Sequence, residues 1–177
     1  MSGTGSPDGG DDAPRRGGPE RGSGIAGRPV MEATKGLLEI EPVLVAVSDT
    51  VEALVRRASA SPATRALGVV DAAGVLVGVV SVDVLVAAVV GRVAPGALLA
   101  EVRDVDGMEA FDRYVEARTA GDLMAPPAAL PADATIAEAF HLMRDHHSPG
   151  AYVVDAAGRP IAYADGLGLA AAVTGTG

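Results

Sequence analysis

All three histidines of the chain fall within seven residues, at His141, His146 and His147, with Glu138 and Asp145 beside them. At 100° per residue, Glu138, His141 and Asp145 share one face of a helix, opposite Ile136, Phe140 and Met143. Imidazole and carboxylate at that spacing suit a divalent cation, and the His146-His147 pair stands close enough to join. A closed metal site needs three or four converging ligands with support behind them. The alternative is an exposed helix face with ionisable groups flanking its C-terminal end. Nothing else has the spacing of a reaction centre. The absence of cysteine removes thiol catalysis, disulfides and Cys-ligated zinc together. No Gly-rich phosphate loop follows a strand, and no nucleophile–base pair has a recognisable context. The chain therefore reads as something other than an enzyme.

The elements that must position these residues are written twice. Val-Val-Asp-Ala-Ala-Gly occurs at Val69–Gly74 and again at Val153–Gly158, 84 positions apart. Upstream, Gly36 matches Gly121, Leu38 matches Leu123, Pro42 matches Pro127, Thr50 matches Thr135 and Val51 matches Ile136, each pair 85 apart. The copies thus align with a one-residue deletion in the first, between Val51 and Val69. A long period occurring twice predicts a duplicated small domain. Neither copy alone is long enough for a comfortable core, so the two pack on each other. In the first copy, Pro42–Val47 reads as a buried strand. Ser48 and Asp49 offer an N-cap, with Glu52 three residues after Asp49, for a helix from about Thr50 to Ala60. Leu67–Val70 and Val75–Val80 are β-branched runs joined by Asp-Ala-Ala-Gly, which suits a hairpin turn with a left-handed residue. A second helix runs from about Val84 to Gly91. In the second copy Thr135 and Glu138 form a capping box, Ala151–Val154 and Ile161–Ala164 the hairpin, and Leu167–Val173 the closing helix. Each copy reads strand–helix–strand–strand–helix, an α+β unit.

Composition divides the 177 residues into a disordered tail over 1–30, a first domain over 31–91, an insert over 92–118 and a second domain over 119–177. The tail is rich in Gly, Pro, Ser, Asp and Arg and has almost no apolar side chain besides Ile25, too little to offset its ordering entropy. Its charges cancel. The formal net charge of −9 therefore belongs to the rest, with 19 acids against 10 bases from Val30 onward. Such a surface lacks the clustered Lys and Arg of a nucleic-acid binder, though a small anion can still bind in a local pocket. No secretory signal opens the chain. The most apolar stretch, Val69–Val90, is broken by Asp71, Asp83 and several glycines and reads as buried strands, not a membrane span. The expectation is a cytoplasmic protein. Within the insert, Asp104, Asp106 and Gly107 read as a turn. Met108, Phe111, Val115 and Arg118 then line one helical stripe with Tyr114 beside it. That stripe is either a linker helix packed on the module's own flank or a docking stripe for a partner protein or a second copy.

The order of these elements resembles the cystathionine-β-synthase (CBS) domain family. Gly121-Asp122-Leu123-Met124, Asp133-Ala134-Thr135-Ile136-Ala137-Glu138-Ala139 and the two Val-Val-Asp-Ala-Ala-Gly turns carry the likeness, over roughly residues 31–90 and 119–173. The resemblance implies a tandem pair, or Bateman module: two pseudo-symmetric domains packed through their sheets, homodimeric, with two clefts for adenosine compounds such as AMP, ADP, ATP or S-adenosylmethionine. Nucleotide-binding members carry Gly-h-h-Ser/Thr-x-x-Asp (h apolar) at the end of the third strand. The first copy reads Gly78-Val79-Val80-Ser81-Val82-Asp83-Val84. Gly78 and Ser81 fit the pattern. Asp83 comes one residue early, a rotation of about 100° at a helix start. Arg65 is placed to offer a phosphate fork. Thr50 and Thr135 stand at strand-to-helix corners that line the clefts in the family. In the second copy Asp165 replaces the hydroxyl and Gly168 the carboxylate. A carboxylate facing a phosphate costs about 1–4 kcal/mol near a surface, so the second cleft reads as no phosphate site. Taken on their own, Thr50, Ser81, Asp83 and Thr135 suit helix caps and Arg65 a solvated loop charge. The implied function is a regulatory module in which a ligand shifts the mutual orientation of the domains. The rival is a structural, dimerising module with decayed nucleotide sites.

Overall fold

The computed structural model describes residues 24–33 and 41–175. Most of the expected tail lies outside the described residues, as do Gly36 and Leu38 of the repeat comparison. A 3-10 turn at Ile25–Gly27 leads into α1 (Val30–Ala33), β1 (Leu44–Ala46), α2 (Val51–Ala60), β2 (Ala66–Val70), β3 (Leu76–Ser81) and α3 (Val82–Val93). The insert supplies α4 (Pro95–Leu99) and α5 (Val105–Glu116). The second repeat gives α6 (Ala120–Leu123), β4 (Ala129–Pro131), α7 (Ile136–Asp145), β5 (Gly150–Val154), β6 (Pro160–Asp165) and α8 (Gly166–Thr174). Each repeat forms a three-stranded sheet whose first strand runs parallel to the second and whose second runs antiparallel to the third. The fold is α+β and pseudo-symmetric.

Identical local chemistry shapes both hairpins. Asp71 Oδ1 accepts from the N–H groups of Ala73 and Val75 at 2.8 and 2.9 Å. Asp155 Oδ1 does the same for Ala157 and Arg159 at 2.8 and 2.9 Å. Gly74 and Gly158 close the turns at φ of 78° and 77°, a conformation glycine adopts without steric cost. The first helix of each repeat starts on a threonine. Thr50 Oγ1 accepts from Ala53 N, and Thr135 Oγ1 from Glu138 N, both at 3.3 Å. The expected cap at Asp49 is thus displaced by one residue. Asp49 instead holds the preceding turn by accepting from Ala46 N at 3.0 Å, and Glu52 pairs with Arg92.

Residues 24–30 do not behave as a tail. Val30 is buried in the core of the second repeat, Val30 N donates to Ala134 O at 2.8 Å, and Ile136 N donates to Arg28 O at 3.0 Å. A composition averaged over thirty residues hid this short apolar anchor. The segment that leads into β4 of the second repeat does the same for the first. There Val51 N donates to Arg118 O and Ala120 N to Asp49 O, while Ala117, Ala120 and Leu123 enter the first core. Each core is completed by the segment that leads into the first strand of the other repeat.

The insert closes against this framework. Asp104 caps α5 through Gly107 N at 2.8 Å, so Asp104–Gly107 starts the helix instead of forming a separate turn, and Arg118 lies beyond its end. Gly91 lets α5 approach α3: a Cβ there would stand 3.2 Å from Val115 Cγ2. Arg92 ties α3 to Glu52 and to Ala117 O. This helix packs on the module's own flank, although Val105 and Met108 stay exposed. Among the described residues no helix is long and apolar enough to cross a membrane.

Candidate functional site

The two sheets face each other through a third apolar cluster. Ala66, Leu76 and Val79 of the first repeat meet Tyr152 and Tyr163 of the second, flanked by Leu44, Val70, Ala129 and Val154. Leu76 N donates to Gly158 O at 3.0 Å, which sets the two hairpin turns side by side at one end of the stack. The strand-to-helix corners at Ser81 and Asp165 lie at the other end.

In the repeat alignment Tyr152 occupies the position of Gly68, and Tyr163 that of Val79. The first of these pairs meets face to face. A Cβ on Gly68 would fall 2.8 Å from Tyr152 Cζ and 3.0 Å from Leu44 Cδ2, so Gly68 is the socket for the ring. Tyr152 is 1% exposed, and its hydroxyl reaches Ala66 O at 3.0 Å and Val43 O at 3.2 Å. Tyr163 leans on it with ring centroids 4.9 Å apart and planes inclined by 56°. Burial pushes both phenols above the ordinary tyrosine range. At Tyr163 the nearby Asp165 carboxylate adds to this and the Arg65 guanidinium opposes it. Their partners differ. The Tyr163 oxygen is buried without any hydrogen-bond partner.

Arg65, Ser81 and Asp83 come together at the corner. Ala66 pairs with Ser81 across the ladder, and Val82 N donates to Arg65 O at 3.0 Å. Arg65 is exposed, and among the described residues its side chain forms no hydrogen bond or ion pair. Ser81 Oγ accepts from Val84 N at 3.3 Å as the cap of α3, and Asp83 is exposed on the first turn of that helix. On the other repeat Asp165 Oδ2 caps α8 by accepting from Gly168 N at 3.0 Å. Gly78, farther back along β3, is covered by Met124: a Cβ there would fall 2.7 Å from its sulfur. Val79 and Ala125 exchange backbone hydrogen bonds at 3.0 and 2.8 Å beside it. Thr50 and Thr135 are not brought to this group. Because β1 runs parallel to β2, Thr50 follows the hairpin end of its sheet, and Thr135 does so in the second.

The histidine-bearing helix does not assemble ligands. Arg144 lies between His141 Nδ1 at 3.2 Å and Asp145 Oδ1 at 3.3 Å. Among the described residues no group of three or more His, Asp or Glu is placed to hold a metal. Sequence reasoning missed Tyr152, Tyr163 and Met124. The signal for the tyrosines was present: they are bulky where the first copy has Gly68 and Val79.

Residues 120–163 match the CBS domain family model, and the described residues have the fold of a tandem CBS module. A CBS domain-containing protein from Thermotoga maritima is similar, with 24% identity over 84% of this chain and 96% of its own and a TM-score of 0.66. A CBS-pair protein from Arabidopsis thaliana, CBSX2, has 21% identity over 85% of this chain and 96% of its own, with a TM-score of 0.57, and has also been solved in complex with AMP. The CBS domain of a bacterial CNNM/CorC family Mg2+ transporter in complex with ATP has 18% identity, covering 85% of this chain and 90% of its own, at a TM-score of 0.56. No curated protein sequence matches the chain.

Proposed function

We propose that this module is regulatory and not catalytic, and that it senses an adenosine nucleotide at the corner formed by Arg65, Ser81 and Asp83. The observation that carries the reading is Arg65, whose carbonyl accepts from Val82 N at the start of α3 and whose exposed guanidinium forms no hydrogen bond or ion pair among the described residues. A guanidinium fork matches phosphate oxygens, and the partial positive charge of a helix N-terminus adds to it. That AMP and ATP are bound by proteins of the same fold supports the choice of ligand. S-adenosylmethionine has no phosphate for Arg65 to hold and fits less well. Asp83 faces the ribose, and Gly78 keeps β3 close to Met124. Thr50 and Thr135 contribute by fixing α2 and α7. Occupancy favours one mutual orientation of the repeats, which a protein partner reads. The module acts as a cytoplasmic homodimer, and the exposed Val86, Val89 and Val93 on α3 support the self-association.

A second reading, a purely structural pair, draws on Tyr152, whose ring and hydroxyl lock the sheets together, and on Ser81, whose oxygen is already engaged as a cap. Thermal-shift titration with AMP, ADP, ATP and S-adenosylmethionine separates the two. A ligand that binds only the native state raises stability by about 2.7 kcal/mol at one hundred times its dissociation constant. The sensor reading requires a dose-dependent rise with a nucleotide that Arg65→Ala abolishes. A flat response to all four at millimolar concentration leaves the structural reading.

A further inference from the structure

Among the described residues, the Tyr163 hydroxyl is a buried polar group between the sheets that has no hydrogen-bond partner. Buried phenols ordinarily find a partner, and Tyr152, 4.9 Å away by ring centroid, does so. Tyr163 is 5% exposed, yet its oxygen has none. That oxygen closes over Gly150, where a Cβ would collide with it, and Gly150 pairs across the ladder with Asp165. The same ring packs in one cluster with Ala66, the neighbour of Arg65. The Tyr163 hydroxyl of the second repeat is therefore near enough to the Arg65 guanidinium of the first and to the Asp165 carboxylate of its own for both charges to act on it.

Resting on the reading of a nucleotide at the Arg65 corner, we propose that Tyr163 and Arg65 form a two-sided clamp for a single phosphate group, one arm from each repeat, and that Asp165 restricts it to nucleoside monophosphates over triphosphates. A phosphate offers only acceptors, which suits one O–H and one guanidinium fork. In the arrangement described the hydroxyl is covered, so it meets a ligand only when the sheets part at this end. An unpaired buried hydroxyl weakens the closed arrangement. A phosphate oxygen that accepts from it stabilises the parted one. Ligand occupancy and domain orientation are thereby linked through one atom. Selectivity follows from charge: Arg65 offers one positive charge to either ligand, whereas a triphosphate brings more negative charge against Asp165 than a monophosphate does.

The test is calorimetric titration of the full chain with AMP and with ATP, alongside melting of the ligand-free protein. Three proteins are compared: wild type, Tyr163→Phe and Asp165→Ser, the last keeping a helix cap on α8. Wild type binds AMP at least tenfold more tightly than ATP. Tyr163→Phe raises the melting temperature of the free protein and weakens AMP by about tenfold, while Asp165→Ser narrows the gap between the two nucleotides. Tyr163→Phe that stabilises without changing AMP affinity reduces the hydroxyl to a packing defect and overturns the clamp. An unchanged AMP-to-ATP ratio in Asp165→Ser overturns the selectivity. A wild-type protein that binds neither nucleotide overturns the proposed function, and the clamp with it.

Discussion

Removing the Tyr152 hydroxyl tests the packing of the sheets most directly. In Tyr152→Phe the ring stays in its Gly68 socket and one oxygen is lost. That oxygen carries a single proton shared between Ala66 O at 3.0 Å and Val43 O at 3.2 Å. Val43 O keeps its bond from Gly68 N at 2.9 Å, so the net loss is one hydrogen bond, about 1 kcal/mol. For a chain of this size that lowers the melting temperature by about 2–4 °C. Scanning calorimetry at pH 7 is the assay, well below the range in which a phenol titrates, and burial moves both phenols further from it. The adjacent Tyr163→Phe deletes the same atom from the same kind of ring and moves the midpoint up. A Tyr152→Phe midpoint that is unchanged or raised refutes the bookkeeping of partners on which both signs rest. The rings touch, so the double variant should depart from additivity.

Further expectations concern the socket, the caps and the insert. Gly68→Ala forces a Cβ into the Tyr152 ring and costs about 1–3 kcal/mol in urea unfolding; the cost shrinks in a Tyr152→Val background. Backbone N–H donors hold the carboxyls of Asp122, Glu138 and Asp155 below their usual range. Their contribution is present above the unfolded carboxylate values near pH 4 and is lost as pH falls through the lower folded ones. The urea midpoint should therefore drop with acid over that window, and less steeply in Glu138→Gln. Gly91→Val crowds Val115 and loosens α5 from α3. Limited proteolysis should then cut within residues 94–116 sooner while amide exchange in β2 and β5 stays slow.

Local signals in the sequence carried the fold because they are local. Asp71 and Asp155 each satisfy two backbone donors within four residues, and Thr135 with Glu138 caps within one turn, so their spacing alone announced hairpin and helix. Strand ends moved by one or two residues, since the ladder and not the side-chain type ends a strand. The site was less legible. Arg65 and Ser81 were brought together as neighbouring ends of one hairpin, which the repeat predicted. Thr50 went to the opposite end of its sheet, because the parallel pairing of β1 with β2 has no sequence signature. Tyr152 and its Gly68 socket are 84 residues apart and unlike in size, and their fit exists only once the sheets are stacked. Val30 was lost in a composition dominated by its glycine- and proline-rich neighbours.

The crossing of Arg28–Ala33 onto the second core, and of Arg118–Leu123 onto the first, bears on ancestry. A single ancestral copy with this topology would have had an unfilled core, and two such chains could fill both by trading their leading segments, as in a domain-swapped dimer. Tandem fusion would make that exchange intramolecular and free the two halves to differ, as Gly68 and Tyr152 do at equivalent positions. The same geometry makes the polypeptide link between the halves dispensable once the exchange has occurred. A chain severed between Ala100 and Asp104, ahead of α5, should persist as a stoichiometric complex of its two fragments, each holding the other's missing wall.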